Sequence, residues 1–270
     1  MKTIVFIGAG SMAQAMIHGW ITKGSVSPAD VFVMNKSDRK KLVFLEDKYG
    51  IQLVCPERKI LQKADLVILA MKPKDVEAGM KAIASHLPSN AVVLSILAGV
   101  PMQTIENGLG KRSICRCMPN TSATIGMSAS AVAWNDQMKS DQKIEILHLL
   151  RGIGIVNEVE EEQLHVVTAL AGSGPAYIYY LVEAFEKAAI ASGLNQQVAH
   201  DLLVQTIAGA AEMLRQSNKS PEVLRKQVTS PGGTTEAGIK ALQDYHFQDI
   251  LVHCLKEAEL RSRELEKRYI

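Results

Sequence analysis

Gly8-Ala9-Gly10-Ser11-Met12-Ala13 sets two glycines two apart, with a small residue three further on, directly after an apolar segment. The spacing is G-x-G-x-x-A. Gly8 permits a tight turn, Gly10 lets a phosphate approach the backbone, and Ala13 lets a helix lie close to a strand. A helix N-terminus adds backbone N–H groups that suit a pyrophosphate. A strand before and a helix after make this a dinucleotide motif rather than a plain turn.

The next group is Asn35-Lys36-Ser37-Asp38-Arg39, at the end of the second strand-like segment. An NAD site places an acid about 20 residues after the glycines to hold the ribose 2′-hydroxyl. Here Asn35 takes that place, and Lys36 and Arg39 supply charge for a 2′-phosphate. NADPH is therefore favoured, with NADH the weaker cofactor. Asp38 lies past the strand and can cap the following helix. A third group, Ser230-Pro231-Gly232-Gly233-Thr234-Thr235, precedes a helix. Two glycines let successive N–H groups converge, and the helix end favours a carboxylate. Read alone, the threonines lean toward helix capping and leave substrate binding open.

Other reactive side chains point to less. His18, His86, His165 and His253 lack metal-ligand spacing, so no metal site is expected. Cys115 and Cys117 would share one face of a strand, and the four cysteines read as reduced core thiols. Lys72 follows a strand end, where ligands bind in open α/β sheets. With no sequence feature that marks an activated lysine, a structural or cofactor-side role is favoured over that of a catalytic acid.

The elements that position these groups alternate at first. Segments 3–7, 31–34, 65–71, 91–96 and 113–118 are short and rich in Val, Ile and Leu, as strands buried on both faces require. Amphipathic stretches lie between them, including 11–23, and one around Leu42, Leu45 and Tyr49 that stops at Gly50. Two further strands, 128–134 and 154–159, flank a helix near 144–150. The pattern predicts right-handed crossovers and a mostly parallel sheet. From about residue 160 nearly everything reads as helix: 161–170, 176–192, 196–216, 221–228, 236–242 and 246–267. Domains 1–159 and 160–270 follow. Ala208-Gly209-Ala210-Ala211, with Leu202, Leu203, Ile207 and Leu214, gives one helix too wide an apolar surface for water, which predicts a partner subunit. Glu257/Arg261, Glu259/Arg263 and Glu264/Arg268 suit a solvated face of the last helix.

Composition narrows the class. A chain of 270 residues, 47% hydrophobic, with net charge +2 and interleaved charges, lacks the basic stripe of a nucleic-acid binder. No run approaches the roughly 18 apolar residues of a membrane span. No signal-like segment follows Met1, so a cytoplasmic address is expected.

Several ordered motifs together resemble the pyrroline-5-carboxylate reductase family over nearly the whole chain. They are the 7–13 turn, Ala70-Met71-Lys72-Pro73, Ser95-Ile96-Leu97-Ala98-Gly99, Arg116-Cys117-Met118-Pro119-Asn120-Thr121, Gly172-Ser173-Gly174-Pro175-Ala176-Tyr177 and residues 230–235. The resemblance implies an α/β chain: an N-terminal Rossmann dinucleotide-binding domain followed by an all-α dimerisation domain that interlocks with its twin. It implies hydride transfer from NADPH to 1-pyrroline-5-carboxylate, giving L-proline, in a homodimer or higher homo-oligomer. Cofactor positions would be Ile7, Gly8, Ala9, Gly10, Ser11, Met12, Asn35, Lys36, Ser37, Ala70, Met71, Lys72, Pro73, Ile96, Leu97 and Ala98. Substrate positions would be Ser230, Gly232, Gly233, Thr234, Thr235, Glu161 and Thr168, with Thr235 catalytic. This chain departs from the family at Glu57, Ala171 and Leu97, the last bulky beside the nicotinamide.

Two rivals remain. A β-hydroxyacid dehydrogenase would carry a catalytic Lys where this chain has Ile178. A catalytically silent NADP-binding regulator would share fold and cofactor site.

Overall fold

Apolar runs too short for helices and too continuous for a wetted face become buried strands. The computed structural model describes residues 1–269 except Ser37, Pro56 and Glu57. Its strands are β1 (Ile4–Ile7), β2 (Val31–Met34), β3 (Gln52–Leu53), β4 (Leu66–Leu69), β5 (Val92–Ser95), β6 (Ile114–Met118), β7 (Ser128–Trp134) and β8 (Gly154–Glu158). They form one sheet in the order β3-β2-β1-β4-β5-β6-β7-β8. Every pairing is parallel except that of β6 with β7. The order reverses between β1 and β4, the switch point outside which open sheets of this kind bind ligands. β3 is an addition to the sequence reading: two residues, one of them polar, leave no apolar run to find.

Helices α1 (Ser11–Thr22), α2 (Arg39–Tyr49), α3 (Val76–Ile83), α4 (Met102–Leu109) and α5 (Ser140–Arg151) connect the strands. Asp38 Oδ1 accepts from Lys41 N at 3.0 Å, so the expected cap of α2 is present, and Gly50 ends that helix at φ 68°. Strand side chains alternate between two cores. Ile4 and Phe6 of β1 join Trp20 on one face, whereas Val5 and Ile7 join Leu97 on the other. Trp20 Nε1 donates to Leu149 O at 2.7 Å, tying α1 to α5.

The expected helix 161–170 is broken into three short pieces. A 3-10 turn (Glu161–Gln163) and α6 (Leu164–Val167) lead into a π turn (Thr168–Gly172). Thr168 Oγ1 donates to Leu164 O at 2.6 Å, and Ser173 N reaches back to Thr168 O at 2.8 Å. A side-chain donor on a helix carbonyl competes with the backbone ladder and loosens the turn. The π turn passes directly into α7 (Gly174–Ala191), with Pro175 in its first turn where a missing N–H costs little.

Beyond α7 come α8 (Gln196–Gln216), α9 (Pro221–Gln227), α10 (Thr234–Asp244) and α11 (Phe247–Glu266). The chain forms two compact units, Met1–Pro175 with Lys256–Ile270, and Ala176–Leu255. It passes between them inside α7 and again inside α11. Within Ala176–Leu255, Ala199 alone is buried. On α11, Arg263 pairs with Glu259 at the expected spacing, while Arg261 pairs with Glu264 three residues on.

All four cysteines are free, and only Cys115 and Cys117 lie in the core; Cys55 is exposed and Cys254 half-buried, which corrects the reading of four core thiols. Burial pushes the Cys117 thiol up to about 12 and Cys115 well above its ordinary value. Among the described residues, no helix is long and apolar enough to cross a membrane.

Candidate active site

The first cluster sits at the switch point. Gly8 follows β1 at φ 110°, and its N donates to Met34 O at 2.8 Å. A Cβ on Gly8 would stand 2.6 Å from the Ala70 backbone after β4, so no side chain fits there. Gly10 is the N-cap of α1, and a Cβ on it would lie 3.4 Å from Ala70 O. Ile7 O accepts from Ala70 N at 2.9 Å, so the turn through Gly8 and Gly10 lies against the backbone that opens the stretch Ala70, Met71, Lys72 and Pro73. Ser11 and Met12 open α1, whose N-terminus has no side-chain cap. Its first-turn N–H groups and partial positive charge suit an anion. The cradle fits a dinucleotide pyrophosphate.

Asn35 follows β2, and its Oδ1 accepts from Lys36 N. Lys36 Nζ lies 3.6 Å from Asp75 Oδ1, in the turn after Pro73, so the ends of β2 and β4 carry linked charges. Ser37 and Glu57 fall outside the described residues. After β5, Ile96 and Ala98 are half-buried, while Leu97 points into the core and is 4% exposed. Its bulk beside the expected nicotinamide position is thus spent in the core. Lys72 is exposed.

Glu161 and Thr168 belong to the same unit, and both hold intramolecular partners. Glu161 Oε1 accepts from Met102 N at 2.8 Å and from Arg116 Nη1 at 2.6 Å. Thr168 is the residue that opens the π turn. Asn120 Nδ2 donates to Ala171 O at 3.0 Å, and Met118 lies beside Gly172, so the 116–121 and 172–175 motifs meet here.

The remaining substrate positions lie in the other unit. Ser230, Gly232, Thr234 and Thr235 are exposed, and Gly233 is half-buried. Gly232 adopts φ 71°. Its N–H donates to Glu236 Oε2 at 2.8 Å, and Gly233 N donates to Ser230 O at 3.0 Å. The helix begins at Thr234, two residues earlier than the sequence suggests, with Gly233 as N-cap and no side-chain cap. The capping reading of Thr234 and Thr235 is therefore corrected: both are first-turn residues, and their hydroxyls are not caps. Glu236 was missed, although an acid three residues past an N-cap is a recognisable signature.

A polar cluster also went unread. Glu162, His165 and Glu266 bring possible ligand atoms within 4.8 Å of one another. Each already has a partner: Glu162 pairs with Arg263, and His165 Nε2 lies 2.9 Å from Glu266 Oε2. The hydrogen bond from Arg263 holds the Glu162 carboxyl below its usual range.

Known proteins place this arrangement. Residues 161–265 match the family model described as pyrroline-5-carboxylate reductase dimerisation, and residues 3–99 match one described as NADP oxidoreductase, coenzyme F420-dependent. Pyrroline-5-carboxylate reductase 2 of Bacillus subtilis is 42% identical, over 100% of this chain and 97% of its own. Pyrroline-5-carboxylate reductase of Staphylococcus haemolyticus is 37% identical over 98% of each chain. The solved structure of a pyrroline-5-carboxylate reductase from Coxiella burnetii superposes with a TM-score of 0.90 at 36% identity, covering 98% of both chains. The Plasmodium falciparum pyrroline carboxylate reductase with NADP bound shares the fold, with a TM-score of 0.88 at 24% identity over 98% of both chains. With identity this high sustained from end to end, and both halves matching, the chain belongs to the pyrroline-5-carboxylate reductase family.

Proposed function

We propose that this chain reduces the ring C=N bond of 1-pyrroline-5-carboxylate with a hydride from NADPH, giving L-proline, the last step of proline biosynthesis. It works as a homodimer or higher homo-oligomer in the cytoplasm, on a small molecule rather than on nucleic acid or membrane. The single observation that carries the reading is 42% identity to a reductase of that name across the entire chain. Functionally, residues 1–159 hold the cofactor, and residues 160–270 provide dimerisation and substrate binding.

NADPH fits the first cluster, where Gly8 lets the turn close on the Ala70 backbone and the N-terminus of α1 has no side-chain cap. Ile7, Gly8, Ala9, Gly10, Ser11 and Met12 would hold the pyrophosphate. Asn35, Lys36 and Ser37 would face the 2′-phosphate; Ala70, Met71, Lys72 and Pro73 would line the cofactor, with Ile96, Leu97 and Ala98 at the nicotinamide end. When bound, NADPH supplies the hydride.

A protonated cyclic imine is already a strong electrophile, so the protein's task is orientation more than acid catalysis. Ser230, Gly232, Gly233 and Thr234 shape the carboxylate site. The Gly232 and Gly233 N–H groups are engaged within the turn, which leaves the first-turn N–H groups of α10 as the donors. The Thr235 hydroxyl holds the proton at the ring nitrogen. Thr168 borders the pocket, while the Glu161 carboxylate is already engaged by Met102 N and Arg116 Nη1.

Loss of NADPH absorbance on adding 1-pyrroline-5-carboxylate at near-neutral pH tests the reading. Pure protein that binds NADPH and leaves it unconsumed would be the silent homologue instead.

A further inference from the structure

Outside the two clusters, one set of buried polar side chains has no part in the chemistry described. Arg116 on β6 is 3% exposed, and its Nη1 lies 2.6 Å from Glu161 Oε1 and 3.3 Å from Glu266 Oε1. His165, also 3% exposed, meets Glu266 through Nε2 and Ser262 Oγ through Nδ1 at 3.0 Å. Burying a guanidinium between carboxylates is costly unless geometry is good, so a purely stabilising role is a weak explanation.

The position of Glu161 gives a better one. The oxygen held by Arg116 also accepts from Met102 N, the first residue of α4. Pro101 is the N-cap of α4 and supplies no side-chain cap, so Glu161 satisfies an orphan N–H from outside the helix. Residues 96–101 join β5 to α4 and carry the Ile96, Leu97 and Ala98 positions. Leu97 N donates to Ser95 Oγ at 3.3 Å where the stretch leaves β5. In its middle, Gly99 adopts φ 67°, and a Cβ there would stand 3.1 Å from Leu265 Cβ. Just beyond, Thr104 Oγ1 donates to Tyr269 O at 2.9 Å. The stretch is thus pinned at both ends and overlaid by the last turn of α11, with Arg116 joining the two holds.

Resting on the NADPH reading above, we infer that Glu161 is a positioning residue: through Met102 N it fixes residues 96–101, and so the seat of the nicotinamide, without touching the substrate. Full-length Glu161→Gln, Glu161→Asp and Glu161→Ala test this beside the unaltered protein. Gln still accepts from Met102 N, whereas Asp keeps the charge and is one methylene short. Asp and Ala should lower kcat about ten- to a hundredfold, as small misplacements of reacting groups do. Gln should stay within about threefold, and substrate KM and NADPH Kd should move by no more than about that in all three, the pattern of an effect confined to the chemical step. With NADPH deuterated at the transferred position, the isotope effect on kcat should rise in Asp and Ala.

A slow Gln beside an active Asp would overturn the inference, because charge on the substrate would then be the role. An unmoved kcat in Asp and Ala, with only the melting temperature falling, would overturn it too. Should Ala fail to fold, the Asp and Gln pair decides. An unaltered protein that consumes no NADPH refutes the reductase reading separately; bound-NADPH emission, sensitive to the nicotinamide surroundings, must still change in Asp and not in Gln.

Discussion

In Met1–Pro175 many large apolar side chains form a core, Phe6, Met16, Trp20, Leu61 and Ile68 fully buried among them, although Ile125, Ile144 and Ile155 face outward. In Ala176–Leu255 the same residue types face outward, with Tyr180 76%, Leu202 57% and Met213 57% exposed. One unit makes its own core around a sheet, and the other has helices with almost nothing to pack on. An apolar surface on that scale marks a protein interface rather than a wetted face. The contrast teaches that one unit carries its own core, while the helical unit offers the kind of apolar surface a second chain would cover, in keeping with its match to a dimerisation family model.

The contrast can be broken most severely at α8. Leu202→Glu should weaken self-association by about a hundredfold or more, since burying an unpaired charge at an interface is costly. Light scattering would register smaller particles, while NADPH titration would stay near normal; an unchanged assembly would mean that α8 is not the contact. In the other unit, Gly8→Ala should raise the NADPH Kd by about tenfold to a hundredfold, from left-handed strain of about 1–3 kcal/mol and backbone overlap. Its oligomeric state should not change, and fluorescence titration with light scattering checks both.

Thr235→Ala sharpens the comparison from the helical side. We expect kcat to fall about tenfold, the scale of one lost hydrogen bond, with NADPH Kd unchanged. An equal loss of cofactor binding would mean that the role is misassigned. The smallest effect should come from Lys36→Ala, whose side chain is exposed and paired with Asp75. NADPH should weaken about two- to fivefold relative to NADH, the scale of a solvent-screened charge contact. A fixed ratio of the two affinities would remove Lys36 from the 2′-phosphate site.

Much of this architecture could be read from residues alone, for identifiable reasons. Seven strands announce themselves as apolar runs, and the glycines at 8 and 10 sit where a strand must turn into a helix. α8 begins and ends where its periodicity does. The misses have causes as well. A π turn at Thr168–Gly172 leaves no periodicity to detect, since one side-chain hydrogen bond decides it. α10 starts early because Glu236, not a threonine, secures its approach through Gly232 N. The grip of Arg116 on Glu161 and Glu266 spans separations of 45 and 150 residues, which no local spacing encodes. Gly8, Gly10 and Ala13 are neighbours in sequence, whereas Glu161 and Leu265, which hold residues 96–101, reach them only in space.

The return of Lys256–Ile270 to the first unit has a consequence for biosynthesis. A ribosome completes β1 to β8 and then all of α8, α9 and α10 before it makes the segment that overlies Gly99. Folding during translation, which proceeds from the N-terminus, therefore leaves the nucleotide-binding half open until its final turn of helix arrives. Nascent chains stalled after α10 would present residues 96–101 to proteases, and would mature only once elongation resumed.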